Sequence, residues 1–540
     1  RGLGDVYKRQ SLQRKNCAFP CSPSFSSHQF STVRSTSSGT KLGGKMYRTD
    51  ALFPPKEHPY EGRLRQPPMG GHQGAMSRAL LLCLIMLIAP LSGCFGEAEN
   101  NIVVDINAVL TIDGEPAEDA TLRSGEWHDI LLVGEGLRLS APAHDVLLFV
   151  DGYIDIDSSV PVDGDRVLVQ MLTTPYTESV ELVVWSADGT KTVYNQSLVN
   201  GTPVVSGEAW YEKMDYITCD VPSDDCGAYN GRWMGSPNPQ FERAASYFQG
   251  HFEGLGYDTH LMRVVDTLNP TQPESLNVIA WKRGRSPDCV QGMGSHMDIA
   301  LPGGPPGGGT AEGAYDNTAG TVSMMLYAQF LVDIEVECDT FLALWSSEEE
   351  GLRGSNAFAN NDCEACLPQD KELRFYINMD MMGISWPAHK EDGTPFPYHA
   401  WTGPDIDPEV QDVEITSIVD HVHRNVLRAP MNLRIDGTYG AGCDNHWEDH
   451  QDLVMDVHED SFGRSDHVTF RNKGAQTIFH LGAYDDDYSA YHSPQDTLEN
   501  MVAVVGGQEN LEQSLEFVMW AALLEFIYAD QTPEIRNVGA

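Results

Sequence analysis

The pattern of hydrophobic and polar residues first separates a strand-rich segment from the rest of the chain. Between residues 101 and 204, short runs of alternating hydrophobic and polar residues are interrupted by Gly, Asp and Pro turns. A period of two is typical of strands that bury one face. We therefore predict an all-β accessory domain at 101–204, folded as a small sandwich of about seven strands. Its composition suggests no chemistry of its own.

A second pattern begins near residue 205 and continues to residue 540. Hydrophobic strand-like runs alternate there with segments whose hydrophobic residues have helical spacing. The predicted strands are 276–281, 290–295, 340–345, 374–379 and 477–481, and the predicted helices are 238–254, 317–332, 410–427 and 511–528. This alternation predicts an α/β fold with a mixed, mostly parallel central sheet and helices on both faces.

The first hundred residues have the character of a leader and an anchor. Residues 1–75 are basic and rich in Ser and Pro, and we interpret them as a disordered or untranslated leader. Residues 76–93 contain an apolar run too short to span a bilayer but suited to a signal peptide, and the run ends in LSGC. LSGC resembles a lipobox, so we expect lipidation at Cys94 and a tether at 94–100. The alternatives are a plain signal peptide and a buried helix. We expect an exported, cell-surface lipoprotein facing outside the cytoplasmic membrane.

Charge narrows the choice of partners. The formal net charge is −43, and the residues before Cys94 carry 13 Lys and Arg against 4 Asp and Glu. The remainder is therefore even more acidic than the whole chain. Such a surface repels nucleic acid and anionic lipid. We expect no nucleic-acid partner, and membrane contact only through the lipid anchor.

Seven cysteines follow Cys94, and export would allow them to form disulfides. An odd number predicts at least one unpaired thiol. The spacing suggests that Cys219 and Cys226 close a short loop, and that Cys289 and Cys338 pair if their strands are neighbours. Cys363 and Cys366 could form a tight disulfide or a redox pair, which would leave Cys443 unpaired.

Metal-type ligands follow three of the predicted strands. One strand runs into His296 and Asp298, another into a run of three Glu residues, and a third into Asp380. Asp316 stands behind a glycine-rich loop, just before a predicted helix, and can fold back toward His296. A carboxylate buried at a strand end needs a cation or a hydrogen-bond partner. Because the carboxyl ends of parallel strands share one edge of a sheet, we predict a cation site there.

These residues lie in motifs that together resemble one known family. The motifs SHMD, YDNTAG, SEEEGLRGS, NMD, RSDHVTF and YHSPQDT resemble those of the di-zinc aminopeptidase and glutamate-carboxypeptidase-like metallopeptidases. The resemblance covers about residues 230–526 and makes 205–540 the expected di-zinc metallopeptidase domain. It implies two zinc ions per chain: His296 and Asp380 would hold one, Glu349 and His492 the other, and Asp316 would bridge both. Imidazole and carboxylate ligands suit zinc.

The resemblance also implies catalytic roles for three further residues. Glu348 matches the general base, and Asp298 matches the carboxylate that orients His296. Tyr491 is a candidate hydrogen-bond donor to the tetrahedral intermediate. Asp466 and His467, in RSDHVTF, are expected to support the site without acting as ligands.

The function implied is that of an aminopeptidase that hydrolyses N-terminal residues from peptides. A carboxypeptidase or an aminoacylase-like hydrolase remains an alternative on the same site, because Arg353 and Arg464 near the motifs can bind a free carboxylate. A glutaminyl cyclase with one zinc is less favoured, since both sets of ligands are present. The alternative from another class is a non-catalytic receptor-like ectodomain, which would usually have lost ligands or the base.

Overall fold

The computed structural model describes residues 108–141, 146–154, 159–233, 238–264, 275–300, 312–403, 415–427, 431–435, 438–441, 455–459, 464–483 and 487–537. The predicted leader, signal peptide, tether and lipidated Cys94 lie outside these residues, as does Cys443. Those interpretations therefore stay predictions. The described residues all belong to one compact unit. None of the helices in this part of the chain is both long and apolar enough to cross a bilayer.

The strand-rich segment folds into two sheets. Its strands are β1 (Val109–Ile112), β2 (Glu115–Pro116), β3 (Leu122–Ser124), β4 (Trp127–Val133), β5 (Arg138–Ser140), β6 (Val146–Val150), β7 (Tyr153–Ile154), β8 (Ser159–Pro161), β9 (Arg166–Thr173), β10 (Ser179–Trp185) and β11 (Lys191–Asn200). One sheet has the order β2-β1-β4-β9-β6-β7 and the other β3-β11-β10-β5-β8. Side chains from both sheets meet in one hydrophobic core. The described strands outnumber the seven expected, because strands of two or three residues are too short to show an alternating pattern.

The remainder is built around one large sheet. Its strands are β12 (Asp258–Val264), β13 (Ser275–Lys282), β14 (Ser286–His296), β15 (Cys338–Trp345), β16 (Glu372–Asp380), β17 (Tyr398–Gly403), β18 (Met431–Ile435), β19 (Thr438–Ala441), β20 (Met455–Glu459) and β21 (Gln476–Leu481). They lie in the order β12-β13-β15-β14-β16-β21-β17-β20-β18-β19. The four strands β15, β14, β16 and β21 run parallel to one another. The pairs β12–β13, β13–β15 and β17–β21 are antiparallel, whereas β17 and β20 are parallel. The sheet is therefore mixed with a parallel centre, as predicted.

Helices cover both faces of this sheet. They are α1 (Gly207–Thr218), α2 (Pro239–Gly254), α3 (Ala319–Leu331), α4 (Arg353–Asn360), α5 (Ile415–His421), α6 (His467–Arg471), α7 (Leu498–Val504) and α8 (Gln508–Asp530). Strand β15 is buried throughout, and its side chains alternate between two cores. Leu342 and Leu344 join the core that contains α2, α3 and α8. Phe341 and Trp345 join the core formed with α4 and α6. The predicted α/β fold class is thus confirmed.

The structure differs from two of the helix predictions and also contains helices that the sequence pattern did not predict. The helix predicted at 317–332 begins at Ala319, because Asp316 and Asn317 adopt non-helical dihedrals. The described part of the helix predicted at 410–427 is α-helical over Ile415–His421 and π-helical over Val422–Val426. Helix α1 was not predicted, although Ser206 caps it by accepting a hydrogen bond from the amide of Ala209.

The β-sheet region packs directly against the α/β region. The ring of Trp127 on β4 stacks on Phe330 of α3, with centroids 5.7 Å apart, and also contacts Phe149 on β6. Tyr176 lies 6.0 Å from Phe517 of α8. Because residues from both regions enter one hydrophobic core, the contact is an apolar interface.

The three cysteine pairs suggested by the sequence all form disulfides. They are Cys219–Cys226, Cys289–Cys338 and Cys363–Cys366. The second pair links β14 to the beginning of β15, which are parallel neighbours in the sheet. This covalent link ties together two strands whose opposite ends lead into the candidate site.

Candidate active site

Strand order brings the candidate ligands to one edge of the sheet. β14 ends at His296 and β16 ends at Asp380, and these strands are parallel neighbours. β15, on the other side of β14, ends at Trp345 and leads into Glu348 and Glu349. Their carboxyl ends therefore share the edge at which open α/β sheets bind ligands.

The first group of ligand-type side chains consists of His296, Asp316 and Asp380. All three residues are buried, and one ligand atom from each lies within 4.8 Å of the others. Nε2 of His296 is 3.2 Å from Oδ1 of Asp316 and 3.3 Å from Oδ1 of Asp380. The three donors therefore converge on one point from two strand ends and the turn before α3.

The second group consists of Asp316, Glu349 and His492. Nε2 of His492 is 3.0 Å from Oδ2 of Asp316 and 3.2 Å from Oε2 of Glu349. Asp316 belongs to both groups, and it faces the two imidazoles with different oxygen atoms. This is the arrangement that a bridging carboxylate requires.

Neighbouring groups hold the ligands in place. Ser465 donates a hydrogen bond of 2.8 Å to Oδ2 of Asp380, leaving Oδ1 toward His296. The hydroxyl of Thr321 donates to the carbonyl of His296 at 3.1 Å. Nδ1 of His296 lies 3.0 Å from the carbonyl oxygen of Asp298, which orients the ring so that Nε2 faces the site.

The carboxylate of Asp298 contacts the backbone of the Glu run more closely than it contacts His296. Its oxygens accept hydrogen bonds from the amides of Glu348 at 3.2 Å and Glu349 at 3.4 Å. Oδ1 of Asp298 is 3.7 Å from Nδ1 of His296, beyond hydrogen-bond distance. In this structure the Asp298 carbonyl orients His296, and the Asp298 carboxylate positions the predicted base and ligand.

Glu348 and Tyr491, the predicted base and hydrogen-bond donor, both line the same cleft. Glu348 is buried, and one of its carboxylate oxygens lies within 4.8 Å of a ring nitrogen of His296 and a carboxylate oxygen of Glu349. Burial raises the pKa of Glu348 well above its ordinary value, and the nearby carboxylate of Asp380 adds to the increase. The ring of Tyr491 stacks on His492 with centroids 3.7 Å apart. Burial also raises the pKa of Tyr491, so the phenol stays protonated and can donate a hydrogen bond.

The buried carboxylates of the site require positive charge nearby. Burial alone would lower the pKa of His296, but the carboxylates of Asp380, Glu348 and Asp316 together outweigh it and raise that pKa well above its usual value. Burial also opposes protonation of His492, yet hydrogen bonds with Asp316 and Glu349 raise its pKa to about 10. Burial would raise the pKa of Asp316, but its hydrogen bonds with both imidazoles bring it below its usual range. Protonated imidazoles or divalent cations can supply the charge.

The donor chemistry fits zinc. Each of the two groups offers one imidazole nitrogen and two carboxylate oxygens, and neither contains Cys. Such sets are typical of catalytic zinc sites rather than closed structural ones. Oε1 of Glu349 is buried and has no hydrogen-bond partner within the described part of the chain. An unpaired buried carboxylate oxygen is costly, and coordination of a cation would satisfy it.

Four other residues complete the lining of the cleft. They are Met381, Arg464, Phe479 and Leu481. Arg464, one of the two arginines singled out from the sequence, therefore lies beside the ligands. Arg353 is at the start of α4, and its Nε donates to the carbonyl of Glu350 at 3.1 Å. Arg464 is thus the better placed of the two to meet a bound substrate.

Sequence reasoning did not single out three supporting residues. Asp496 accepts hydrogen bonds from the amides of Tyr315 and Asp316. Ser465 holds Asp380, as described above. Arg232 is fully buried, and its Nε donates to the carbonyl of Met297 at 2.9 Å. Asp496 and Ser465 lie in motifs already quoted for the family resemblance, but the motifs do not say which member contacts which ligand.

A larger cavity, of about 400 Å³, lies beside the amino ends of the parallel strands, at the opposite edge of the sheet. It contains several charged residues, including Arg374. The guanidinium group of Arg374 already donates to the carbonyls of Ala529, Asp530 and Ile535. All the metal-type groups found among the described residues lie at the carboxyl edge instead. We therefore assign the chemistry to that edge.

The middle of the chain matches a known family. Residues 277–401 match the model of Peptidase family M28. The match contains four of the five ligand positions, His296, Asp316, Glu349 and Asp380, whereas His492 lies beyond it. This match confirms the resemblance of the chain to metallopeptidases.

Two curated relatives are similar over part of the chain. Aminopeptidase Y of Saccharomyces cerevisiae is 31% identical over 109 residues, covering 20% of this chain and 18% of that protein. An aminopeptidase of Pseudomonas aeruginosa is 30% identical over 140 residues, covering 26% of this chain and 24% of that protein. The chain thus aligns with a quarter or less of either relative.

Solved structures show a weaker overall likeness. The crystal structure of the LapA aminopeptidase of Legionella pneumophila has 16% identity and a TM-score of 0.40, covering 72% of this chain and 99% of that one.

Proposed function

We propose that the chain is an exported zinc metallopeptidase that removes N-terminal residues from peptides. The observation that carries the proposal is the position of Asp316, whose two carboxylate oxygens lie 3.2 Å and 3.0 Å from the imidazoles of His296 and His492. A carboxylate shared by two ligand groups is suited to bridging two divalent ions. The match to Peptidase family M28 supports the same conclusion.

The ligands divide between two zinc positions. His296 and Asp380 would hold one ion, Glu349 and His492 the other, and Asp316 would bridge them. Zinc bound there would supply Lewis acidity, which lowers the pKa of water and polarises a carbonyl group. The side chains of the cleft would provide the remaining steps.

Glu348 would act as the general base and then as the general acid. Its carboxylate would take a proton from the attacking water as the new C–O bond forms, and would deliver it to the amine as the C–N bond breaks. The amides of Glu348 and Glu349 are both held by Asp298, which keeps the base beside the ligands. Tyr491 would donate a hydrogen bond to the oxygen of the substrate carbonyl as negative charge develops there.

The similarity to aminopeptidases favours a substrate with a free amine. The carboxylates that line the cleft do not decide the question, because Asp316, Glu349 and Asp380 would be bound to zinc and Glu348 would act on the water. Arg464 lines the same cleft and supports the second candidate, a carboxypeptidase or aminoacylase-like hydrolase that binds a free carboxylate. Because the named relatives are aminopeptidases, the aminopeptidase is the leading proposal.

Chromogenic substrates can separate these functions. The purified chain would be assayed with leucine p-nitroanilide, its N-acetyl derivative and a dipeptide blocked at the amine, each before and after removal of metal by a chelator. We expect chelator-sensitive hydrolysis of the free-amine substrate alone. Hydrolysis of only the amine-blocked substrates would contradict the aminopeptidase assignment while sparing a metallopeptidase. Failure to cleave any peptide or acyl-amino-acid substrate with zinc bound would favour the receptor-like alternative.

We also propose that the protein works outside the cytoplasmic membrane, anchored at Cys94. The three disulfides support this location, because disulfides persist in oxidising compartments. Replacement of Cys94 by Ser should move the protein from the membrane fraction to the soluble fraction of cells. Equal membrane association of both forms would contradict the anchor.

A further inference from the structure

The turn that carries His492 brings a buried carboxylate back to another ligand. After His492, the amide of Ser493 donates to the carbonyl of Ala490, and the amide of Asp496 donates to the carbonyl of Ser493. These bonds form a tight turn that places Asp496 beside the segment leading into α3. Asp496 is only 3% exposed, so its carboxylate needs hydrogen-bond donors.

The Asp496 carboxylate binds the backbone of the bridging residue. Oδ2 of Asp496 accepts from the amide of Asp316 at 3.0 Å, and Oδ1 accepts from the amide of Tyr315 at 2.9 Å. Oδ1 also accepts from the hydroxyl of Tyr488 at 2.8 Å. In addition, the amide of Ala314 donates to the Asp496 carbonyl at 3.2 Å. The bonds from the amides of Ala314, Tyr315 and Asp316 join the turn after His492 to the turn that contains Asp316.

Backbone geometry explains why the Asp316 turn needs such a partner. Asp316 has φ −118° and ψ 92°, and α3 begins only at Ala319. Amides at the start of a helix have no intrahelical acceptor and must find one elsewhere. Without Asp496, the amides of Tyr315 and Asp316 would lose acceptors inside a buried region. The orientation of the Asp316 side chain depends on that backbone.

We propose that Asp496 is a positioning residue that fixes Asp316 relative to His492 and so sets zinc affinity at the position shared with Glu349. The role rests on the zinc binding advanced under the proposed function. A carboxylate suits it because both oxygens must accept. An amide at the same position would keep one acceptor but turn an N–H donor toward a backbone N–H.

The test measures binding of zinc alone, without an activity assay. Zinc affinity of the full chain would be determined by chelator competition for the wild type, Asp496→Asn and Glu312→Gln. Glu312 is a matched control, because its carboxylate accepts from the amide of Leu498 at 2.8 Å in the same region and, among the described residues, forms no hydrogen bond with a candidate ligand. We expect Asp496→Asn to weaken zinc at one position by about 10- to 100-fold, the usual effect of losing a partner of a metal ligand. Glu312→Gln should bind zinc like the wild type.

Two further measurements separate positioning from a loss of fold. The visible spectrum of the cobalt(II)-loaded chain should change in Asp496→Asn, because the Asp316 carboxylate moves, but not in Glu312→Gln. If Asp496→Asn does not fold, Tyr488→Phe provides a milder variant that removes one donor to Asp496. It should weaken zinc binding by about 3- to 10-fold, the range expected for one hydrogen bond.

The outcomes distinguish this role from the proposed function. A wild-type chain that binds no zinc overturns both. A wild-type chain with two zinc ions, matched in affinity and cobalt spectrum by Asp496→Asn, overturns the positioning role alone. If Asp496→Asn is unfolded, unchanged zinc affinity in Tyr488→Phe overturns that role in the same way.

Discussion

Nε2 of His492 lies 3.2 Å from Oε2 of Glu349, although the two residues come from distant parts of the chain. Glu349 follows the carboxyl end of β15, whereas His492 lies in a turn before α7. Their contact depends on correct folding of the whole central sheet between them. A single acidic or histidine motif in this sequence therefore does not identify the site unless the order of the strands in the sheet is also known.

The role proposed for Glu348 leads to the first prediction. Glu348→Gln should lower kcat by about 100- to 10,000-fold, because the amide cannot take a proton from water. The zinc content should stay that of the wild type, since Glu348 is outside the two bridged ligand groups. Glu350→Gln is the matched control, with the same chemical change two residues away, and should have a much smaller effect. Wild-type turnover in Glu348→Gln would exclude this residue as the base.

A buried ion network on the other side of β21 gives a prediction about stability. Glu525 of α8 is fully buried, with Oε1 at 3.1 Å from Nε2 of His423 and Oε2 at 2.7 Å from Nε2 of His480. Burial would raise the pKa of Glu525, but the two histidines together bring it below its ordinary value. A lowered pKa stabilises the fold above the pKa of the unfolded chain, and this contribution is lost as pH falls from about 4.5 through the folded value.

Urea unfolding at pH 7, 5 and 4 would measure this effect. Glu525→Gln should lower the free energy of unfolding by about 3 kcal/mol at pH 7, because it breaks a buried charge network. Below pH 5, the free energy of unfolding of Glu525→Gln should decrease less than that of the wild type. Glu516→Gln on the same helix is the control. Burial raises the pKa of Glu516, so the contribution of this carboxyl group to stability should increase as pH falls, opposite to that of Glu525. Parallel pH curves for the wild type and Glu525→Gln would contradict the assignment.

The disulfides should differ in their contributions to stability. Cys289 and Cys338 are 49 residues apart, whereas Cys363 and Cys366 are 3 apart. Because closing a longer loop restricts the unfolded chain more, the double change to Ser should cost about 4 kcal/mol for the first pair and about 2 kcal/mol for the second. Thermal and denaturant unfolding of both variants would measure the difference. Equal losses would show that native-state packing, not loop closure, dominates.

Much of the architecture could be predicted because it depends on local pattern. Buried strands such as β15 are continuous hydrophobic runs, and polar residues such as Asp380 appear where those runs stop. When such strands are parallel neighbours, their carboxyl ends lie at the same edge of the sheet. The same reasoning predicted that Asp316 could return toward His296, as the 3.2 Å separation of the two side chains shows.

The remainder depends on contacts that have no local signal. Asp298 was expected to orient His296 through its carboxylate, but the carboxylate accepts from two backbone amides instead. Asp496 stands in a quoted motif, yet its partners are backbone amides of a distant turn. A backbone amide is present whatever the side chain of its residue. The sequence around Tyr315 therefore does not show that the amides of Tyr315 and Asp316 need an acceptor from a distant part of the chain. Strands of two residues, such as β2 and β7, are equally invisible to a periodic pattern.

The most direct test of the account is the number of zinc ions bound by the wild-type chain and by His492→Ala. Each protein would be loaded with zinc, dialysed and analysed by mass spectrometry for metal per chain. We expect two ions in the wild type and one in His492→Ala, because His296, Asp316 and Asp380 would still hold the first. A wild-type chain without zinc, or equal zinc in the two proteins, would contradict the bridged two-metal site.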